Sequence, residues 1–450
     1  MYEPHSIDTV VPSDGPCYNS PESVLNKFYS KGDVAMKTNG FFLTRIACIV
    51  WVSCMISSVS AQSADYEKQA SRILDAAGIK GGLIVHVGCG DGKLTASLYS
   101  DDGYLVHGLD TQTENVEVAR EYLQSRDLYG PISVDNFDGK RLPYIDNLVN
   151  LLVTEDLGQL PMTEVMRVLC PNGVAYIKED GQWKKTVKDW PEEINEWTHF
   201  LHGPNNNAVA RDRIVGPPCH LQWLFESKHL RSHEHLNSVS ALVSARGRIF
   251  YIIDEGPTAA VVAPPLWRLV ARDAFNGVLF WKRDIGPWER HFCLFRSGLP
   301  DIARRLVAVG ERAYATLGYG KRVAAFDAAT GRTVRIYEAT EGALEIIYDN
   351  GRLFVVIGTI DEKAYSETLK RFVPSLAPRQ KGIVALDADS GHVLWKLRDH
   401  DTSELMPTTL AVSNGRLFFQ NTREVICLNA YSGEEAWRAE RPVYTRRSTG

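Results

Sequence analysis

Three kinds of hydrophobic pattern follow one another along the chain. The first is one apolar run, Ile46 to Val59, preceded by Lys37 and Arg45 and followed by the small residues Ser60 and Ala61. The second alternates strand-like and helix-like stretches. Tyr66 to Ala77 has helical spacing closed by Gly78, Leu83 to Val87 reads as a buried strand, and Leu105 to Leu109 as another. Leu148 to Val153 is a fourth strand, and a helix from Glu164 breaks at Pro171 into a fifth, Val174 to Lys178. Strands separated by helical patterns predict a parallel sheet covered by helices. No final antiparallel hairpin is legible after the fifth strand, where the chain runs through Gln182 to Pro191. The third pattern begins near residue 240 and consists of short apolar runs around tight polar turns, as in Gly382 to Trp395. Such pairs predict β-hairpins.

The hairpin turn recurs. Asp273-Ala-Phe-Asn-Gly277, Asp327-Ala-Ala-Thr-Gly331, Asp387-Ala-Asp-Ser-Gly391 and Asn429-Ala-Tyr-Ser-Gly433 share one spacing, and Trp281, Trp395 and Trp437 each fall eight residues after the turn start. The second copy has Arg335 at that place. Turn starts lie 54, 60 and 42 residues apart, and a strand signal opening on Gly247, Gly310, Gly351 or Gly415 precedes each. Four short strands per unit at this period predict a β-propeller.

The signature A-L-D-A-x-[ST]-G-x-x-x-W resembles the quinoprotein (PQQ-like) propeller repeat and covers about residues 240–440. The resemblance implies adjacent cysteines and a calcium site in members that bind the quinone. Cys89, Cys170, Cys219, Cys293 and Cys427 contain no adjacent pair, so a propeller without PQQ is expected and a quinone-dependent dehydrogenase is the third-ranked reading. The tryptophans are expected as wedges between blades.

The second pattern carries a glycine loop, Gly88-Cys-Gly90-Asp-Gly92, straight after its first strand, and Asp110 ends its second. Glycines there let a ligand approach the backbone, and a carboxylate at that place can accept a ribose's hydroxyls. With Asp138 after the third strand and R-V-L-C-P-N-G at 167–173, this stretch resembles the class I S-adenosylmethionine-dependent methyltransferases. The resemblance implies that Gly88, Gly90 and Gly92 line the methionine part of the cofactor, that Asp110 holds the ribose and that Asp138 lies near the adenine. It also implies Asp or Glu two residues before the first glycine, where this chain has His86. A neutral imidazole there could accept from the cofactor's ammonium, and a protonated one would repel it. No catalytic residue stands out. Glu155 and Asp156 hold the place where the family often puts substrate-facing groups.

Charge and length narrow the rest. A chain of 450 residues suggests two or three domains, and a net charge of −5 without a basic block argues against nucleic acid. The expected division is a disordered or miscalled start at 1–35, a signal peptide at 36–61, a Rossmann-like methyltransferase domain at 62–180, a connecting segment at 181–240, and incomplete propeller blades at 241–450. The leader predicts export to the periplasm or cell surface, with membrane attachment only if it stays uncleaved. Seven of twelve histidines fall between 199 and 291. His199/His202 and His233/His235 with Glu234 could hold a transition metal; the plainer reading, adopted here, is no metal and hydrogen-bonded histidines. Strand parity puts the three longest insertions on one propeller face, carrying Trp267, Trp288, Arg290, His291, Arg296, Arg304 and Arg305. That face would take a protein, glycan or small anionic partner. Two functions stay open: S-adenosylmethionine-dependent methyl transfer, and a non-catalytic periplasmic or surface scaffold. Because propellers of the resembled type have more blades, a longer product or a poorly ordered final blade is expected.

Overall fold

The computed structural model describes residues 64–214, 216, 221–224, 239–257, 265–286, 302–318, 320–359, 379–406 and 408–442. A helix over 64–77, α1, ends where Gly78 at φ 76° donates its N–H to Leu74 O. A six-stranded sheet follows, in the order β3-β2-β1-β4-β5-β6. Its strands are β1 (Gly82–Val87), β2 (Tyr104–Asp110), β3 (Ile132–Asn136), β4 (Val149–Thr154), β5 (Leu169–Glu179) and β6 (Gln182–Val187). The first five are parallel. All six residues of β1 are buried, as a strand covered on both faces must be. Ile84 faces α1, α2 (Lys93–Ser97) and α3 (Thr113–Ser125), while Leu83, Val85 and Val87 face α4 (Met162–Val168).

Two sequence expectations change at the sheet's edge. The helix ends at Val168 rather than Pro171, since Leu169 already turns extended at ψ 135° and pairs with Val149. An antiparallel strand does close the sheet. Asp180 and Gly181, at φ 50° and 76°, form a two-residue turn that folds β6 back along β5. Tyr176 and Trp183 stack across that pair at 4.9 Å.

Beyond residue 239 the chain forms four consecutive four-stranded antiparallel sheets, each a simple meander. They comprise β7 (Val239–Ala245) to β10 (Leu279–Asp284), β11 (Leu306–Val309) to β14 (Thr333–Ile336), β15 (Ala343–Asp349) to β18 (Val393–Leu397), and β19 (Ala411–Ser413) to β22 (Glu435–Glu440). The first strands touch in sequence, β7 on β11, β11 on β15 and β15 on β19, which suits propeller blades arranged about an axis. Among the described residues they do not close a ring.

The repeated turn has a physical role. Each glycine donates to the carbonyl of the turn's first residue, and at three of the four turns a tryptophan from earlier in the chain lies on the glycine's bare face. A Cβ at Gly331 would fall 2.5 Å from Trp281, whose Nε1 donates to Ala328 O at 3.0 Å. Trp395 repeats this on Gly433 and Ala430. At the third turn Arg335 covers Gly391, and the Tyr337 hydroxyl donates to Ala388 O. The first turn is served from outside the repeats: Trp223 covers Gly277 and donates to Ala274 O at 3.0 Å.

The segment before the repeats is a strap along their inner strands. Trp197 exchanges hydrogen bonds with Ser244 on β7, and Thr198 O accepts from Ala308 N on β11 at 3.0 Å. His199 Nε2 accepts from Tyr348 N on β15 at 3.1 Å. Pro204 O accepts from Val412 N on β19, and Asn206 Nδ2 donates to Leu410 O.

Candidate functional site

The glycine loop is anchored by β2. Gly88 N and Cys89 N donate to Leu109 O, and Gly90 N donates to Asp110 Oδ2 at 3.0 Å. Gly88 and Gly90 have positive φ, 77° and 52°, and nothing within 4 Å of where a Cβ would stand. That open space suits a ligand lying on the backbone. Gly92 differs: a Cβ there would meet Ala119 of α3 at 2.9 Å, so it serves helix packing. Asp110 is buried at 5 % exposure, and its Oδ1 accepts from Gln112 N and Asn115 Nδ2. Asp138 is exposed, and the Arg141 and Lys140 amides hold its carboxyl below the usual carboxylate range.

A cavity of about 480 Å³ opens at the C-terminal ends of the parallel strands, and Gly90, Gly92 and His86 are not in its lining. Gly88, Asp110 and Asp138 line it together with Thr111, Phe137, Asp156, Leu157 and Gln159. Its charged lining is three aspartates, with no lysine or arginine. Phe137 and Leu157, apolar walls for a flat ring, escaped the sequence reading; Phe137 has only its place between β3 and Asp138 to mark it. Glu155 lies outside this lining and is held by Lys178 Nζ and Gln69 Nε2, each at 3.0 Å. Burial lowers the His86 pKa to about 4, and its Nδ1 sits 2.8 Å from Thr95 Oγ1. The Cys89 thiol is pushed up to about 12 by burial and stays protonated.

The other end of the same strands meets the first repeat sheet. Asn150 Nδ2 donates to Asp273 Oδ2 at 2.7 Å, and Asn150 Oδ1 accepts from Leu83 N and Asn276 Nδ2. Phe280 packs against Gly81. The first sheet therefore docks at the foot of the parallel strands. The six residues of β1, rising ~3.3 Å each, separate this seam from the cavity.

The predicted partner face changes. In every repeat the turn between the first two strands and the turn between the last two meet at one end, where Ala274, Ala328, Ala388 and Ala430 donate to the carbonyls of Gly247, Glu311, Gly351 and Gly415. The longer connections leave from the other end. Trp288, Arg290, His291 and Arg296 lie outside the described residues. Trp267, Arg304 and Arg305 are interior residues, 2 %, 9 % and 1 % exposed, and form no part of a displayed surface. Trp267 belongs to the core between the first two sheets. Arg304 pairs with Glu345 at 2.8 Å and lies over the Phe200 ring, and Arg305 Nε donates to Leu344 O. His233, Glu234 and His235 also lie outside the described residues. Among those described, no three metal-binding side chains gather. His199 is committed elsewhere: burial lowers its pKa to about 3, and Thr198 Oγ1 and Tyr348 N engage its two nitrogens.

The fold and this cavity define an α/β domain of methyltransferase type followed by quinoprotein-like repeats. The comparisons with known proteins agree. A methyltransferase-domain family matches residues 84–173, and the family described as outer membrane protein assembly factor BamB, a PQQ-type repeat, matches residues 379–445. Methyltransferase GfsG of Streptomyces halstedii is 30 % identical over 124 residues, 26 % of this chain and 45 % of its own length. This chain thus spans less than half of that relative. An S-adenosyl-L-methionine-dependent methyltransferase structure from Methanococcus maripaludis is 21 % identical, covering 32 % of this chain and 67 % of that one, with a TM-score of 0.25. Geranyl diphosphate C-methyltransferase from Streptomyces coelicolor A3(2) is 17 % identical over 24 % and 44 %, with a TM-score of 0.23.

Proposed function

We propose that the first domain binds S-adenosylmethionine and transfers its methyl group, in an exported protein whose repeats bind a partner. The observation that carries this is the cavity, which joins the open face of Gly88 to Asp110, Asp138 and an apolar slot. Asp110 would accept from the ribose, Asp138 would lie at the adenine edge, and Phe137 and Leu157 would flank the ring. The aspartate lining suits a cationic sulfonium. The cofactor supplies an electrophilic methyl, so the protein's share of the work is to align an acceptor and exclude water. Asp156, exposed and in the cavity lining, would take the acceptor's proton.

The scaffold reading draws on the seam. The first repeat sheet meets the methyltransferase-type domain at the end remote from the cavity, so that sheet presents nothing to it. The partner face would then lie at the end from which the longer connections leave. Export rests on the leader at 36–61; among the described residues no helix is long and apolar enough to cross a membrane.

Calorimetry of the full chain with S-adenosylmethionine and with its demethylated product, S-adenosylhomocysteine, tests the enzyme reading. Micromolar binding that Asp110→Ala abolishes supports it. A folded protein that binds neither leaves the scaffold.

A further inference from the structure

The seam between the parallel sheet and the first repeat sheet is not closed everywhere. Beside Asn150 it leaves a second cavity, of about 200 Å³. Three of its lining residues are cations: Lys80, from the loop that joins α1 to β1, and Arg246 and Arg248, from the hairpin of β7 and β8. Two are acids, Asp273 and Glu311, so the wall carries a positive excess. Lys80 and Arg246 make no ion pair among the described residues.

Arg248 is held in place by its neighbours. It stands opposite Asp273 in the ladder of β8 and β9. Asn150 Nδ2 takes the Asp273 carboxylate, and Arg248 turns to Glu311, with Nη1 2.9 Å from Oε2. The Arg248 side chain is 16 % exposed, yet no described residue accepts from its Nε or Nη2. Those two nitrogens form one edge of the guanidinium, the edge that a carboxylate can accept two-pronged. Gly81, buried in the same wall, likewise has no acceptor for its N–H among the described residues, and a buried N–H seldom goes unpaired.

Phe275 and Phe280 make another part of the wall aromatic. The volume falls short of the ~300–1,000 Å³ of a drug-sized ligand's pocket, and junctions between domains are where binding sites gather. We propose that the seam holds a second binding site, for a small carboxylate on a flat apolar body. Arg248 takes the carboxylate two-pronged, Lys80 adds charge from the other domain, and the two phenylalanines pack on the body. The site lies at the opposite end of β1 from the cofactor cavity and stands whether or not that cavity binds S-adenosylmethionine.

Benzoate is the probe, with benzamide as its uncharged analogue and inorganic phosphate as an anion without the ring. Calorimetry of the full chain at constant ionic strength should show one equivalent of benzoate bound with a dissociation constant under ~1 mM, and each control at least tenfold weaker. Arg248→Lys, which keeps the charge and loses the fork, should weaken benzoate at least tenfold. Lys80→Gln, at an exposed residue with no ion pair, should weaken it at least threefold, and decides the matter if the Arg248 variant fails to fold. Benzoate binding weaker than ~1 mM overturns the inference. So does a margin below tenfold over benzamide, which makes the site apolar only, or over phosphate, which makes it a site for charge alone. Smaller losses than these in the folded variants place the probe elsewhere on the molecule and overturn it too.

Discussion

Asn150→Ala should loosen the seam between the parallel sheet and the first repeat sheet. The Asn150 side chain is a hub: it donates to the buried Asp273 carboxylate at 2.7 Å and accepts from Leu83 N at 2.7 Å and Asn276 Nδ2 at 2.6 Å. A hydrogen bond to a charged group contributes ~1.5–3 kcal/mol, and an orphaned buried donor costs ~1–3 kcal/mol. Asn276 keeps Leu148 O, so the Leu83 amide is the main orphan. Together these give a loss of about 3–5 kcal/mol at pH 7. The cost should also depend on pH. Burial raises the Asp273 carboxyl above its ordinary range, and Asn150 is the first of the groups that pull it back. A raised carboxyl weakens the folded state as pH climbs from ~4 through its folded value. Without Asn150 the carboxyl rises further, so the variant should lose more at pH 7 than at pH 4. Urea unfolding at both pH values measures this, and calorimetry should show the two halves melting separately. A cost below ~1 kcal/mol at pH 7, or an equal cost at both pH values, would refute the hub.

Two further outcomes are expected. Trp281→Ala removes a buried wedge and its bond to Ala328, and should cost ~3–5 kcal/mol by urea unfolding, whereas Trp437→Ala, 42 % exposed, should cost under ~1.5 kcal/mol. His199 has its folded pKa lowered to about 3, so the unfolded chain binds the extra proton and stability falls as pH drops below ~6.5; His199→Gln should flatten the urea midpoint's fall between pH 6 and 4 by about one proton's worth, ~1.4 kcal/mol per pH unit.

The repeat was legible because a tight turn needs particular residues: Asp or Asn to accept from the amides that follow it, and Gly at φ near 75°. Departures from the pattern were visible too, but their meaning required three dimensions. Asn276 stands where Thr330, Ser390 and Ser432 stand elsewhere; its Oδ1 keeps the local bond, accepting from Val278 N, while its Nδ2 reaches Leu148 O and Asn150. Arg335 replaces a tryptophan because Tyr337 supplies the missing hydrogen bond. Trp223 lies outside any repeat, so nothing in its neighbourhood marked it as the wedge for Gly277. At the cavity, Gly88, Asp110 and Asp138 could be named from spacing, while Gly92 could not be told from its neighbours until Ala119 was found against it. Arg304 and Arg305 read as surface residues by charge alone; Glu345 and the Leu344 carbonyl, some forty residues away, allow their burial.

The strap at 196–206 bears on how the protein is made. A ribosome releases it before any of the four sheets it will touch. Its partners follow at growing distance: Ser244 is 47 residues downstream of Trp197, Tyr348 is 149 downstream of His199, and Leu410 is 204 downstream of Asn206. Synthesis runs at ~5–20 residues per second, so the strap waits roughly ten seconds or more for its last partner. During that wait it is a ready edge on which each finished sheet can be laid in order, its emergence setting the sequence of assembly.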